Sequence, residues 1–216
     1  RRRARDFAIF YRVNALSRSL EFALRDAGVP YQLVRGLEFF QRREIKDLVA
    51  YLKLIVNPND SEAFRRAVNV PARGIGQKSV DLITEWASDR RVPLLEAARS
   101  SELRGRIRGR ARAALEGFCG LIERLADWRE RPAVEAIDEV LEAVKYYDWL
   151  ARAEERDDVD RAANVDELRA HAEGYARLNA EGGLRGFLQD IALVSEADSY
   201  DEGQRKVALM TLHAAK

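Results

Sequence analysis

Short strand patterns near both ends of the chain enclose a long run of helical patterns, and this order restricts the possible folds most. Residues 7–11 are apolar and aromatic, which favours a buried strand, and residues 31–34 favour a second one. Between them a helix should end at Gly28, because glycine suits the left-handed end of a helix and Pro30 cannot continue one. This strand–helix–strand unit predicts a parallel α/β sheet of the doubly wound type.

After Gly36 the apolar spacing becomes helical, as Ile45, Leu48 and Leu52 illustrate, and it stays helical to about Val194. The predicted helices cover residues 61–68, 77–89, 106–129, 133–144, 146–153, 160–180 and 184–194. Residues 207–211 then predict a strand again, so the chain leaves a sheet and returns to it. We therefore predict a mainly α fold, with a helical domain inserted into a partial α/β domain of RecA-like or doubly wound type.

The composition excludes some classes of protein. Nearly half of the 216 residues (47%) are apolar, which is enough to bury a real core. No apolar run approaches the roughly 20 residues that span a bilayer, so we expect no membrane partner. The only cysteine is Cys119, which rules out an intrachain disulfide and fits a reducing cytoplasm. The net charge of +1 says little about nucleic acid.

The glycine turn, defined here as residues 73–78, is a candidate anion-binding site. Gly74 and Gly76 permit a tight turn and a close backbone approach. A helix should follow, so its free N–H groups would face the turn, and Arg73 and Lys78 add charge. Such a turn suits a phosphate oxygen of DNA without base specificity. Taken alone, the pattern more often describes a plain link between helices, and it is not a nucleotide P-loop, in which glycine directly precedes the lysine.

A second candidate region lies at the start of a predicted helix, where Arg42, Arg43 and Lys46 stand beside Phe39 and Phe40. Exposed bases can stack on aromatic or guanidinium planes while cations follow the backbone. Alternatively, the phenylalanines are core and the charges form a solvated face; we expect at least one of the two rings to be core.

Basic residues also cluster between positions 99 and 112, where Glu102 opposes six arginines. The cluster could supplement duplex binding, but we favour a solvated helix start. The three tryptophans and Cys119 fall on apolar faces and are predicted to be core or, for the cysteine, semi-buried. A lone histidine such as His213 is more often structural than catalytic, and it has no second ligand at the spacing of a zinc site.

Three parts of the chain resemble the UvrD/PcrA/Rep family of superfamily 1A DNA helicases. The first consists of FYRVNALSR (residues 10–18) and GLEFFQRREIKD (36–47), the second is NVPARGIG (69–76), and the third is LMTLHAAK (209–216). In that family they correspond to stretches of the second RecA-like domain (2A), to the entry into the helical domain 2B, and to the first half of motif V. Their order and spacing are more specific than any one of them.

The resemblance implies an ATP-dependent 3′→5′ DNA helicase or translocase of repair or replication restart, which uses ATP and Mg²⁺. Residues 1–66 and 204–216 would be parts of domain 2A, and 67–203 would be domain 2B. The resemblance also implies duplex contacts from the glycine turn, including Ile75, and single-strand contacts from Arg42, Arg43, Thr211 and His213.

The resemblance further makes this chain an interior fragment without a Walker A loop. We therefore expect it to bind neither ATP nor Mg²⁺ alone and to lack ATPase activity, while DNA and repair proteins remain possible partners. Two alternatives stay open, a non-enzymatic DNA-binding module that uses the glycine turn and a regulatory domain that docks proteins through its helices.

Overall fold

The computed structural model describes residues 3–11, 20, 23–34, 37–154, 161–179, 181–197 and 206–211. Within those residues the chain is mainly helical and contains a small parallel sheet. The strands are β1 (Ala8–Tyr11), β2 (Tyr31–Val34) and β3 (Val207–Thr211). The helices are α1 (Leu37–Gln41), α2 (Arg43–Val56), α3 (Ser61–Ala67), α4 (Gln77–Arg90), α5 (Leu94–Arg99), α6 (Ser101–Arg106), α7 (Arg110–Leu125), α8 (Ala133–Ala143), α9 (Tyr146–Glu154), α10 (Arg161–Leu178) and α11 (Gly183–Ala197).

The sheet joins the two ends of the chain. Its strand order is β1-β3-β2, and β3 pairs in parallel with both neighbours. Ala8 pairs with Ala208 on one side and Tyr31 pairs with Val207 on the other. The predicted parallel sheet and the predicted return of the chain to it are therefore confirmed.

The turn before β2 also forms as its sequence predicts. Residues 23–26 are helical, and Gly28 has φ of +64°, the left-handed conformation expected at a helix end. The Val29 N–H donates to Leu24 O at 2.8 Å, which satisfies a carbonyl at that end. The chain can then extend through Pro30 into β2.

The chain forms two compact units, residues 1–42 with 189–216 and residues 43–188. We call the first the sheet unit and the second the helical unit. The core of the sheet unit contains Tyr11, Val207 and Leu209. The domain boundaries predicted from the sequence, after residues 66 and 203, lie later in the chain than these boundaries.

The helical unit has a continuous apolar core. Helix α2 contributes Leu48, Tyr51, Leu52 and Ile55, all of them at most 1% exposed. The ring of Phe118 in α7 lies edge-on to Phe64 in α3, with 5.7 Å between the centroids. Burial of these side chains is the main force that holds such short helices together, because isolated helices of this length are marginal in water.

The arginine-rich region differs from its prediction. The single helix predicted over residues 106–129 is wrong, because Gly109 has φ of +65° and separates α6 from α7. Helix α7 ends at Leu125, and a 3₁₀ turn follows at Ala126–Trp128. Helices α5 and α6 were not predicted at all, since they are only six residues long and offer little periodicity.

The predicted core residues are partly confirmed. Phe39, Phe40 and Cys119 are buried, as expected. The three tryptophans are only half-buried, so their prediction as core was too strong. A search of the described helices finds none with the length and apolar character of a membrane span.

Candidate nucleic-acid interface

The glycine turn lies in the helical unit and presents its backbone to solvent. Gly74 has φ of +79°, a conformation that favours glycine, and apart from its two chain neighbours no residue has an atom within 4 Å of the position where a Cβ would stand. Gly74, Gly76 and Lys78 are exposed, whereas Ile75 between the two glycines is 1% exposed. The buried isoleucine fixes the turn to the core, and the glycines leave the surface open to a ligand.

Helix α4 begins at Gln77, within the last residues of the glycine turn, and Gly76 is its N-cap. Gly76 provides no capping side chain, and the first turn of α4 contains no acidic residue. The first N–H groups of a helix have no acceptor within the helix, and its N-terminus carries a partial positive charge. The geometry therefore supplies N–H donors, a positive dipole end and the Lys78 ammonium at one exposed place.

Arg73 is turned towards the protein. Its Nη1 donates to the carbonyl oxygens of Ala67 (3.2 Å) and Val70 (3.0 Å), and further to those of Val68 and Pro71. Its Nη2 donates to the Tyr51 hydroxyl at 2.6 Å. The guanidinium of Arg73 therefore holds the backbone that precedes Gly74. Lys78, in contrast, is exposed to solvent.

Tyr51 is the partner that sequence reasoning missed. Its single hydroxyl proton is shared between the carbonyl oxygens of Ala67 (3.1 Å) and Val70, and the Val70–Pro71 peptide bond is cis. Burial raises the pKa of Tyr51 to about 12, although the neighbouring Arg73 opposes the shift, so the hydroxyl keeps its proton at neutral pH. The available signal was chemical, since a tyrosine on a buried helix face needs a partner for its hydroxyl.

Arg42 and Arg43 differ in their surroundings. The guanidinium of Arg42 lies over the Phe39 ring, 5.5 Å from its centroid, and Phe39 packs edge-on against Phe40. The Arg43 side chain is 70% exposed, and its Nε lies 3.9 Å from Asp47 Oδ2. At this distance the two side chains form no hydrogen bond, so the exposed guanidinium of Arg43 can still contact an anion from solution.

Two acidic residues close to Arg43, Glu44 and Asp47, are buried in the helical unit and bind partners there. Asp47 is 2% exposed, and its Oδ1 lies 2.7 Å from Arg66 Nε. Burial raises the pKa of Asp47, while the attraction of Arg66 lowers it less. Glu44 accepts a hydrogen bond from Asn164 Nδ2 at 2.6 Å.

Two of the segments that resemble the helicase family lie side by side where their strands end. Thr211 at the end of β3 pairs in register with Tyr11 at the end of β1. Tyr11 belongs to the segment of residues 10–18 and Thr211 to that of residues 209–216. His213 lies outside the described residues, so the structure locates only one of the two candidates from that segment.

The basic cluster is partly neutralised by two glutamates. Glu102 accepts from Arg90 and Arg106, and Glu116 pairs with Arg112 at 3.1 Å and with Arg104 at 3.8 Å. Glu116 lies one helical turn beyond the cluster in sequence, and the fold brings it to these arginines. These ion pairs favour the interpretation of the cluster as a solvated, internally paired surface.

Comparison with known proteins identifies the class. The whole chain, residues 1–216, matches the model of the UvrD-like helicase C-terminal domain. The chain therefore belongs to the family of UvrD-like helicase C-terminal domains, in agreement with the resemblance found in its sequence.

Individual relatives agree with this class. The chain is 34% identical over 223 residues to the ATP-dependent DNA helicase PcrA of Bacillus subtilis (strain 168), covering 100% of the chain and 30% of the relative. It is 37% identical over 213 residues to DNA helicase II of Escherichia coli (strain K12), covering 97% of the chain and 30% of the relative. The chain thus spans about a third or less of the length of these relatives.

The name of the Bacillus subtilis relative describes that protein as ATP-dependent. Among the described residues, no three histidine, cysteine, aspartate or glutamate side chains lie together as metal ligands.

Proposed function

We propose that this chain is the DNA-contacting part of a longer ATP-dependent DNA helicase, which moves 3′→5′ along one strand in repair or replication restart. Its membership in the UvrD-like family supports this over an independent DNA-binding module and over a purely protein-docking domain. The sheet supports it as well, because β3 lies between the two opening strands, as expected if helices interrupt a RecA-like domain.

In this proposal residues 1–66 and 204–216 belong to domain 2A, and residues 67–203 form domain 2B. ATP and Mg²⁺ would bind to the complete helicase, and repair proteins could dock on the helices. Arg42, Arg43, Thr211 and His213 would contact the single strand, the first of them with a guanidinium already stacked on an aromatic ring.

The duplex contact is proposed for the glycine turn. The exposed Gly74 and Gly76 allow a phosphate to approach the backbone closely, and the N-terminus of α4 offers N–H donors to it. Lys78 would add one positive charge, while Ile75 holds the turn in place. The single observation that carries this proposal is an open helix N-terminus after an exposed turn that is anchored in the core.

Salt-dependent binding tests the turn. Duplex–single-strand junction DNA is titrated with the wild type, with Lys78→Gln and with Lys53→Gln, which removes an equally exposed lysine from α2. Loss of one phosphate contact should reduce the slope of log K against log salt by about 0.9 in Lys78→Gln. Lys53→Gln should keep the wild-type slope, and equal slopes for all three proteins would contradict the assignment.

The proposal also predicts that the 216 residues alone do not hydrolyse ATP. Release of phosphate is measured with and without single-stranded DNA. DNA-stimulated turnover by this chain would contradict the view that the ATP site requires the rest of the helicase.

A further inference from the structure

We propose that Arg73 and Tyr51 form a positioning pair that sets the shape of the glycine turn, and that Arg73 does not itself bind a phosphate. This inference rests on the proposed function, since the turn is the duplex contact proposed above. The positive charge of Arg73 suggests a phosphate contact. The inference instead gives Arg73 the role of holding the backbone of the turn in place.

The first observation is that Arg73 forms hydrogen bonds with several backbone carbonyl groups. Nη1 lies within 3.0 to 3.4 Å of four carbonyl oxygens, those of Ala67 at the end of α3 and of Val68, Val70 and Pro71 after it. Ala67 is the last residue of α3, and its carbonyl also accepts from the Val70 N–H at 3.2 Å, whereas Val68, Val70 and Pro71 lie beyond the helix. A carbonyl beyond the end of a helix needs a hydrogen-bond partner from elsewhere, and Arg73 supplies one. The backbone N–H of Arg73 donates in turn to Asn69 Oδ1 at 2.8 Å. The backbone after α3 is thereby tied to the residue that immediately precedes Gly74.

The second observation is the aromatic surface around the guanidinium. Its Cζ lies 5.8 Å from the centroid of the Tyr51 ring and 5.3 Å from that of Phe118. Tyr51 belongs to α2 and Phe118 to α7, and both rings are buried. Arg73 therefore connects the turn to two helices that are distant in sequence, and its charge is compensated by carbonyl dipoles and ring faces.

The third observation is the direction of the donors. Nη1 points to the carbonyls and Nη2 to the Tyr51 hydroxyl, so both ends of the planar fork are used within the protein. A lysine carries one compact charge and cannot reach both sets of acceptors in this way. Lysine should therefore be a poor substitute in a positioning role, whereas it is a common phosphate ligand.

A positioning role and a direct phosphate contact predict different results for the Arg73→Lys variant, so one experiment can distinguish them. Arg73→Lys, Arg73→Gln and Tyr51→Phe are compared with the wild type, with Arg65→Gln as the matched loss of an exposed arginine from α3. Two quantities are measured for the whole chain, deuterium uptake of a peptide covering residues 69–78 and salt-dependent binding of junction DNA. Circular dichroism and a thermal melt establish that each variant is folded at the working temperature.

Positioning predicts faster deuterium uptake at residues 69–78 in all three pair variants, with unchanged uptake in α10. It also predicts that Arg73→Lys loses about tenfold in affinity, similar to Arg73→Gln, because both break charged hydrogen bonds. Tyr51→Phe, which changes no charge and lies inside the protein, should weaken binding in the same direction. Arg65→Gln should leave uptake at the turn unchanged.

Direct phosphate binding predicts a different pattern, and that pattern would overturn the inference. Arg73→Lys would then bind as the wild type does, Arg73→Gln alone would reduce the salt slope by about 0.9, and Tyr51→Phe would have no effect. If an Arg73 variant does not fold, Tyr51→Phe still decides: wild-type uptake at residues 69–78 in that variant overturns the inference.

Failure of the proposed function gives a separate result. If the wild type does not bind DNA, or if Lys78→Gln binds with the wild-type slope, the duplex contact is wrong. The uptake experiment on the free protein then still shows whether Arg73 and Tyr51 hold the turn.

Discussion

Several polar side chains of the helical unit are hydrogen-bonded to groups far away in the sequence. The Tyr146 hydroxyl donates to Glu44 O at 3.0 Å, and Asn164 Nδ2 donates to the carboxylate of the same residue. Arg129 Nε donates to Ile55 O, near the C-terminal end of α2. Each bond satisfies a group whose burial without a partner would cost about 1–3 kcal/mol.

Cys119 provides a prediction at this scale. The residue is 5% exposed, and burial raises the pKa of its thiol to about 11. Only the thiolate is a nucleophile, so the native protein should react very slowly with a thiol reagent such as DTNB at pH 8 and rapidly in denaturant. Full labelling of the native protein within the time needed in denaturant would contradict the buried position.

Tyr51 provides a second prediction, which concerns alkaline pH. The folded pKa of about 12 lies above the ordinary value of 10.0, so both states are protonated below pH 10. Between about pH 10 and 12 the unfolded state loses the proton first, and the free energy of unfolding falls by at most about 2–3 kcal/mol from this group.

The check is urea unfolding of wild type and Tyr51→Phe at pH 8 and pH 11. Phenylalanine has no proton to lose, and both proteins retain the other tyrosines. The stability advantage of the wild type should therefore shrink at pH 11. A constant difference between the two proteins would contradict the raised pKa.

At the scale of elements, hydrogen bonds between residues close in sequence determine where a helix begins. Asp60 is the N-cap of α3, and its Oδ1 accepts from the Ala63 N–H at 2.9 Å. Replacing such a cap by alanine removes a partner from an otherwise unsatisfied donor.

We predict that Asp60→Ala lowers the free energy of unfolding by about 1 kcal/mol. Asp89→Ala is the matched control, because this aspartate is exposed in the last turn of α4 and caps nothing; its effect should stay within about 0.5 kcal/mol. Chemical denaturation measures both, and equal losses would contradict the capping role.

The elements also show where sequence reasoning works. The parallel strands and the longer helices could be predicted, since apolar periodicity and local stop signals such as Gly28 define them. The region of residues 94–112 could not, because α5 and α6 are too short to show a period and arginines dominate their surface.

The position of the candidate site could be predicted from the sequence, but the contacts of Arg73 within it could not. The two glycines and the helix after them define the turn from local sequence alone. The inward direction of Arg73 depends on Tyr51, which lies 22 positions earlier in the chain, and on Phe118 in another helix. A contact of that kind is a property of the packed core, which one sequence without relatives does not reveal.

For the whole molecule, the sheet unit depends on the last described strand. β3 is hydrogen-bonded to β1 on one side and to β2 on the other. Deleting residues 206–216 should therefore remove amide protection from residues 8–11 and 31–34, because neither strand has another partner in the described sheet.

Hydrogen exchange followed by mass spectrometry checks this deletion. Peptides from α2 and α7 should keep their protection, since their core residues lie in the helical unit. Protected β1 and β2 peptides in the truncated chain would contradict the central position of β3.

The most direct test of the proposed duplex contact is a ¹H–¹⁵N spectrum of the chain titrated with duplex–single-strand junction DNA. The account predicts shifts or broadening of the Gly74 and Gly76 amide signals at stoichiometric DNA, with little change at Gly117 in α7 and Gly174 in α10. Unchanged Gly74 and Gly76 signals in a chain that does bind the DNA would contradict the proposal.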